Sequence, residues 1–126
     1  MNTILAVAIG GAAGSVARYL TQVWCGKLFG MGFPWGTLTV NVLGSLVMGV
    51  LVELFALRWS VDPVTRAFLT IGILGGYTTF SSFSLDVVVL VQRGDTLTAG
   101  SYILTSVIVS LAAIFGGLHL VRWILA

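Results

Sequence analysis

The polar residues of this 126-residue chain are mostly uncharged, and they fall at helical spacing. Thr37, Asn41 and Ser45 recur at every fourth position, so a helix carries them on one face, with Gly44 beside them. Tyr102, Ser106 and Ser110 repeat that spacing, and Ser101 with Thr105 makes a neighbouring pair. Thr79, Ser81, Ser82 and Ser84 form a third group just after the run Gly75, Gly76, Tyr77, Thr78. A path for metal cations would more naturally carry rings of carboxylates. Rows of O–H and N–H donors suit a small anion that must be coaxed from its water. Ser, Thr and Gly also serve as packing residues between membrane helices, which explains one hydroxyl more readily than three aligned rows. Phe80 and Phe83 stand three apart among the serines. Their rings have positive edges and could touch an anion edge-on; packing against lipid or core is the other reading. The sequence holds no paired nucleophile and base and no ligand cluster, so it is not read as an enzyme. Cys25 is the only cysteine, which excludes an internal disulfide and a thiolate metal site.

The elements that hold these rows follow from composition. Charged residues are 8% of the chain and hydrophobic residues 58%, against roughly 25% charged in soluble domains. One small core cannot hide that much apolar surface from water, so the solvent is lipid. A spanning helix takes about 20 apolar residues, and charge-free runs mark four: about residues 3–25, 35–57, 63–92 and 97–122. The expected fold is an all-α membrane protein of four transmembrane helices in one domain. Pro34 precedes the second span, Asp62 and Pro63 read as N-cap and first turn of the third, and Gly94 closes it. Trp24, Trp35 and Trp59 look like interfacial anchors, and the fourth span ends at Arg122 and Trp123. The first run has no Lys or Arg before it and is expected to stay as a span rather than act as a secretory signal. The net charge of +2 comes from single, scattered residues, not a patch, so no nucleic-acid partner is expected.

The third stretch does not fit as one plain helix. From Pro63 to Arg93 a helix would be about 46 Å long, against a hydrocarbon core of about 30 Å. Gly75, Gly76, Tyr77, Thr78 and Thr79 sit in its middle, where the two adjacent glycines favour a break. Irregular backbone at that depth survives only within protein or beside a watery cavity. A break offers free carbonyls to a cation and free N–H groups to an anion. A glycine-lined kink for close packing is the competing reading.

Of the charged residues, Arg18 either snorkels toward Trp24 or forms a positive mouth for anions; both readings stand. Asp86 reads as a cap or an arginine partner, and Glu53 and His119 as interfacial. Gly10, Gly11 and Gly14 contain a small-residue packing spacing. Arg58, Arg66 and Arg122 fall on the N-terminal side of the membrane and Lys27 and Arg93 on the other, joined by Arg18 if it snorkels there. The positive-inside bias is then close to nil. Four short helices are too few to enclose a polar path, so an antiparallel homodimer is the natural expectation.

The runs Gly-Gly-Tyr-Thr-Thr-Phe-Ser-Ser-Phe-Ser at 75–84, Trp-Gly-Thr-Leu-Thr-Val-Asn-Val-Leu-Gly at 35–44 and Gly-Gly-x-x-Gly-x-x-x-Arg at 10–18 together resemble the Fluc (CrcB) fluoride channels. The resemblance covers the whole chain in length, span number and motif order. It implies a fluoride-selective channel in a bacterial plasma or inner membrane, passing fluoride passively out of the cell and lowering its toxicity. It further implies a dual-topology homodimer with two pores and a central structural sodium ion. By position, Phe80 and Phe83 would line the pore, Asn41 would be the pore amide, and Tyr102, Ser106 and Ser110 the polar track. Thr79, Ser81 and Arg18 join that expected anion path, and the backbone carbonyls of Gly75 and Thr78 would hold sodium. Asp86 stands where the family often has Glu.

The rival reading is a proton-coupled exporter of the small multidrug resistance type, also a four-span dual-topology dimer. Such an exporter needs a carboxylate deep in its first span, and this first span carries Arg18 with no Asp or Glu.

Overall fold

A computed structural model describes residues 2–125, and among these the regular structure is entirely helical. Four stretches are long and apolar enough to cross a membrane: Thr3–Phe29, Trp35–Leu57, Pro63–Gln92 and Thr96–Leu125. Large apolar side chains point outward along them, as with Ile4 at 79% and Leu97 at 86% exposure. In water such a surface would drive aggregation; in a bilayer it meets lipid.

Helix α1 (Thr3–Phe29) starts where the Asn2 side chain accepts the Ile4 N–H at 2.7 Å. It runs past Trp24 and Lys27, farther than the expected end near residue 25, and stops at Gly30, whose φ of +80° suits glycine. Helix α2 (Trp35–Leu57) follows Pro34. Helix α3 begins as Pro63–Ala67, widens into a π-helix over Phe68–Leu74 and finishes with the turn Gly75–Tyr77. Its start is the anticipated cap: Asp62 accepts the Thr65 hydroxyl at 2.6 Å and the Thr65 N–H at 3.4 Å, with Pro63 in the first turn.

Extended Thr78 (φ −84°, ψ 157°) and Thr79 (φ −154°, ψ 120°) separate Tyr77 from helix α4 (Phe80–Gln92). The sequence put the irregular stretch at Gly75–Thr79 and credited the glycine pair; the extended residues are its last two, while Gly75 is helical (φ −63°, ψ −36°) and Gly76 lies in the same turn. Of the pair, Gly76 serves close approach, whereas a Cβ on Gly75 would make only an ordinary contact, 3.7 Å from the Thr70 carbonyl oxygen. A Cβ on Gly76 would lie 2.7 Å from the Gly11 carbonyl oxygen, and one on Gly10 would lie 2.7 Å from that of Phe68. A Cβ on Gly14 would overlap the Ile73 carbonyl oxygen. The π-helical stretch therefore nests backbone to backbone against α1, the packing the Gly10–Gly14 spacing anticipated.

Helix α5 (Thr96–Leu125) follows Gly94 (φ +85°) and packs along α2 through a second glycine contact. A Cβ on Gly49 or Gly117 would overlap the carbonyl oxygen of Ile114 or Leu46 respectively. Where α4, α5 and α2 meet, Leu90, Ala99 and Tyr102 form a buried cluster lined by Phe33, Leu38, Phe83 and Val87.

Glu53 sits near the end of α2, tucked into the seam with α5. It is only 7% exposed and accepts from Arg122 Nε at 2.9 Å. A carboxylate drawn into the α2–α5 seam needs such a charged donor, because an unpaired buried charge is strongly unfavourable. His119 is exposed, with Nδ1 2.8 Å from the Phe115 carbonyl oxygen.

Candidate functional site: a polar groove beside the extended threonines

The junction between α3 and α4 is held by one side chain. Asn41, on α2, donates from Nδ2 to the Thr79 carbonyl oxygen at 3.0 Å and accepts the Thr79 N–H on Oδ1 at 2.8 Å. A carboxamide presents one donor and one acceptor in the arrangement a neighbouring strand would, so it satisfies an extended residue that has left the helix. Thr79 is 7% exposed, which makes the pairing obligatory. In an unbroken helix the Thr79 N–H would bond to the Gly75 carbonyl oxygen; here it goes to Asn41. Gly75 thereby loses its usual helical donor. Thr78 keeps its N–H on the Leu74 carbonyl at 3.0 Å, and its hydroxyl donates to the same oxygen at 2.9 Å. Thr79 then caps α4, its hydroxyl accepting the Ser82 N–H at 3.1 Å.

Beside this junction lies a groove of about 420 Å³, lined by Asn41, Ser45 and Met48 from α2, Thr78 to Phe80 and Phe83, and Ser106 and Ser110 from α5. Asn41 uses one of its two N–H groups on Thr79 and so retains a second donor. Among the described residues Ser106 Oγ and Ser110 Oγ are buried without a hydrogen-bond partner, an arrangement proteins seldom leave unfilled. The Phe80 and Phe83 rings sit 5.5 Å apart at 53°, and Phe80 is 77% exposed on the open side of the groove. Donors on one wall and tilted rings on another can strip a small anion of water without a fixed countercharge.

A second cavity, of about 390 Å³, lies where α1 ends and α4 ends, and includes Gln22, Thr37, Asp86 and Arg93 with Phe33 and Trp35. Gln22 donates to the Thr37 hydroxyl at 3.4 Å. Fully buried Tyr102 donates to Asp86 at 2.9 Å, and its ring packs on Phe83 with centroids 5.1 Å apart. Asp86 is thus a partner of a tyrosine, where the sequence suggested an arginine or a cap.

The sequence-derived rows are divided by these two spaces. Asn41 and Ser45 face the groove while Thr37 faces the second cavity; Ser106 and Ser110 line the groove while Tyr102 lies buried outside either lining. Thr79 is at the junction, and Ser81 is exposed with its hydroxyl 3.4 Å from that of Thr79. Arg18 is half-buried on α1 and lines neither space. Three residues have roles here that the sequence reading did not assign. Tyr77 joins its hydroxyl to that of Thr21 at 3.1 Å, tying the last turn of α3 to α1, and Gln22 and Arg93 line the second cavity. Among the described residues no three His, Cys, Asp or Glu side chains gather as a metal cluster.

Residues 5–118 match the family described as CrcB-like protein, Camphor Resistance (CrcB). The chain is 55% identical over 122 residues to a protein of Agrobacterium fabrum named Fluoride-specific ion channel FluC, covering 97% of this chain and 98% of that one. It is 54% identical over 119 residues to a protein of the same name from Nitrobacter winogradskyi, covering 94% of each. A Nitrobacter hamburgensis protein named Fluoride-specific ion channel FluC 1 is 52% identical over 119 residues, again with 94% of each chain covered.

Proposed function

The chain belongs to the CrcB family, and from that premise we propose that it is a fluoride-selective channel through which fluoride leaves the cell passively, lowering its toxicity. It is a multi-pass bacterial membrane protein and a transporter, not an enzyme. The observation that carries the fluoride reading is the pair of buried, partnerless hydroxyls of Ser106 and Ser110 opening on the groove that Phe80 and Phe83 border. Fluoride holds its water more tightly than chloride does, so a path for it must return several strong donor contacts at once. Asn41, Ser106 and Ser110 supply N–H and O–H donors, and the ring edges supply weak positive contact on the opposite side.

A second copy completes the path. The groove is open where Phe80 stands out, and the near balance of Lys and Arg across the four spans permits both orientations. An antiparallel homodimer would place an identical apolar face over each groove and give two pores. The junction fits a monovalent cation at the dimer centre. Gly75 has lost its helical donor to Asn41, and no carboxylate lies between Arg66 and Leu85, so the available ligands there are neutral carbonyl oxygens. The carbonyls of Gly75 and Thr78 from both copies would hold sodium, which tolerates hard, uncharged oxygen ligands where calcium or magnesium favours carboxylates. Its role is structural, fixing the two junctions against each other.

The proton-coupled exporter is not favoured: the family matched is a different one, and α1 carries Arg18 with no acidic residue. Expression in a bacterium lacking its own fluoride export should restore growth in millimolar fluoride, and purified protein in liposomes should release fluoride, read by a fluoride electrode, under a potassium gradient. Growth that stays fluoride-sensitive with liposomes that retain fluoride would overturn the reading.

A further inference from the structure

Along α4, the second cavity is lined by Asp86, Val89, Leu90 and Arg93, the i, i+3, i+4, i+7 positions of one helix face. Arg93 therefore stands two turns, about 10 Å, beyond Asp86 on the way out of the bundle. The two charges differ in how they are held. Asp86 accepts the Tyr102 hydroxyl at 2.9 Å, whereas Arg93 lies within ion-pair distance of no carboxylate among the described residues. Lys27 and Asp95 belong to the same end of the molecule, but neither lines the cavity. Phe33 and Trp35 form apolar walls, and a charge between low-dielectric walls projects its field along the opening.

Tyr102 links this cavity to the groove, its ring packed on Phe83 of the groove lining and its hydroxyl donating to Asp86 of this one, so an anion entering here meets the half-buried Asp86 carboxylate and, nearer the opening, the exposed and uncommitted Arg93 guanidinium. We propose that Arg93 is an electrostatic collector for the anion path: it raises local fluoride at the mouth and offsets the repulsion of Asp86, so that it governs entry and not the passage beyond. This rests on the fluoride-channel reading above. The role needs charge, not the planar shape of the guanidinium, and it should vanish when salt screens the mouth.

The test compares wild-type protein with R93Q, R93E and R93K in liposomes, with fluoride efflux measured at low fluoride. Ionic strength is set with potassium isethionate between about 10 mM and 1 M, where the Debye length falls from about 30 Å to about 3 Å. At low ionic strength R93Q should slow efflux about two- to five-fold and R93E further, while R93K stays at the wild-type rate. At high ionic strength all four should converge. A deficit in R93Q that persists at about 1 M salt, where screening is nearly complete, would mean a structural role at the end of α4 and would overturn the proposal. So would an R93K that fails as R93Q does, or an R93Q equal to wild type at low salt. Wild-type protein that passes no fluoride at any salt would instead overturn the channel reading, and this proposal with it.

Discussion

Asn41 is the side chain whose removal should be felt most, because it satisfies both backbone groups of Thr79 at 2.8 and 3.0 Å. In Asn41→Leu the branched shape and heavy-atom count survive and both partners are lost. Thr79 is 7% exposed, so water cannot replace them freely. A buried polar group left unpaired costs about 1–3 kcal/mol, and two such groups put the expected loss at about 2–6 kcal/mol, a large part of the about 5–15 kcal/mol that holds a typical domain together. The junction could avoid that loss only by returning the Thr79 N–H to Gly75, which would rebuild the helix and remove the free carbonyl. Either way the groove changes shape, and fluoride efflux should fall at least ten-fold, a barrier change of about 1.4 kcal/mol or more. Asn41→Asp separates the two bonds: its carboxylate still accepts the Thr79 N–H but sets a second oxygen against the Thr79 carbonyl. Protonation would restore a donor there, so acidification should recover thermal stability in Asn41→Asp and not in Asn41→Leu. Tryptophan-fluorescence melting in detergent and liposome efflux read the two effects. Wild-type melting and efflux in Asn41→Leu would refute the reasoning.

Replacing Phe80 or Phe83 with Ile keeps bulk and removes the ring edge; fluoride efflux should fall sharply while gel filtration still shows an intact assembly, and undiminished efflux in both variants would remove the rings from the path. Gly14→Ala drives a methyl group into the Ile73 carbonyl oxygen, so α1 and the π-helical stretch must separate, at about 1–3 kcal/mol, read as a lowered melting temperature; Gly11→Ala, with open space at its Cβ, should leave melting within about 0.5 kcal/mol of wild type. Two Lys added beside Arg122 should fix one orientation and leave few active dimers, and co-expression with a chain carrying two Lys beside Arg93 should restore them. Full activity from either biased chain alone would count against antiparallel assembly.

The helices were legible where one local rule decides them. Charge-free runs located the spans, Asp62 with Pro63 gave the start of the third, and Gly94 its end, because caps and chain reversals depend on neighbours in sequence. The interruption was legible only in part. Gly75 and Gly76 announced irregularity, yet the extended residues are Thr78 and Thr79, because Asn41, distant in sequence, takes the Thr79 N–H. No local propensity records a partner on another helix. The same limit hid the Glu53–Arg122 pair and the Tyr102–Asp86 bond, both joining separate helices. Helical spacing put Thr37, Asn41 and Ser45 on one face, but it could not tell that one end of that face opens into a different cavity. Rotation about an axis is written in a period; what lies opposite each turn is not.

The most direct measurement is the reversal potential of purified protein in a planar bilayer, with both anions on both sides, opposed fluoride and chloride gradients, and a pH gradient imposed in either direction. A channel built on this groove should reverse at or near the fluoride equilibrium potential and stay there when the pH gradient is inverted. A reversal near the chloride potential would contradict fluoride selectivity, and one that moves with the proton gradient would contradict passive conduction.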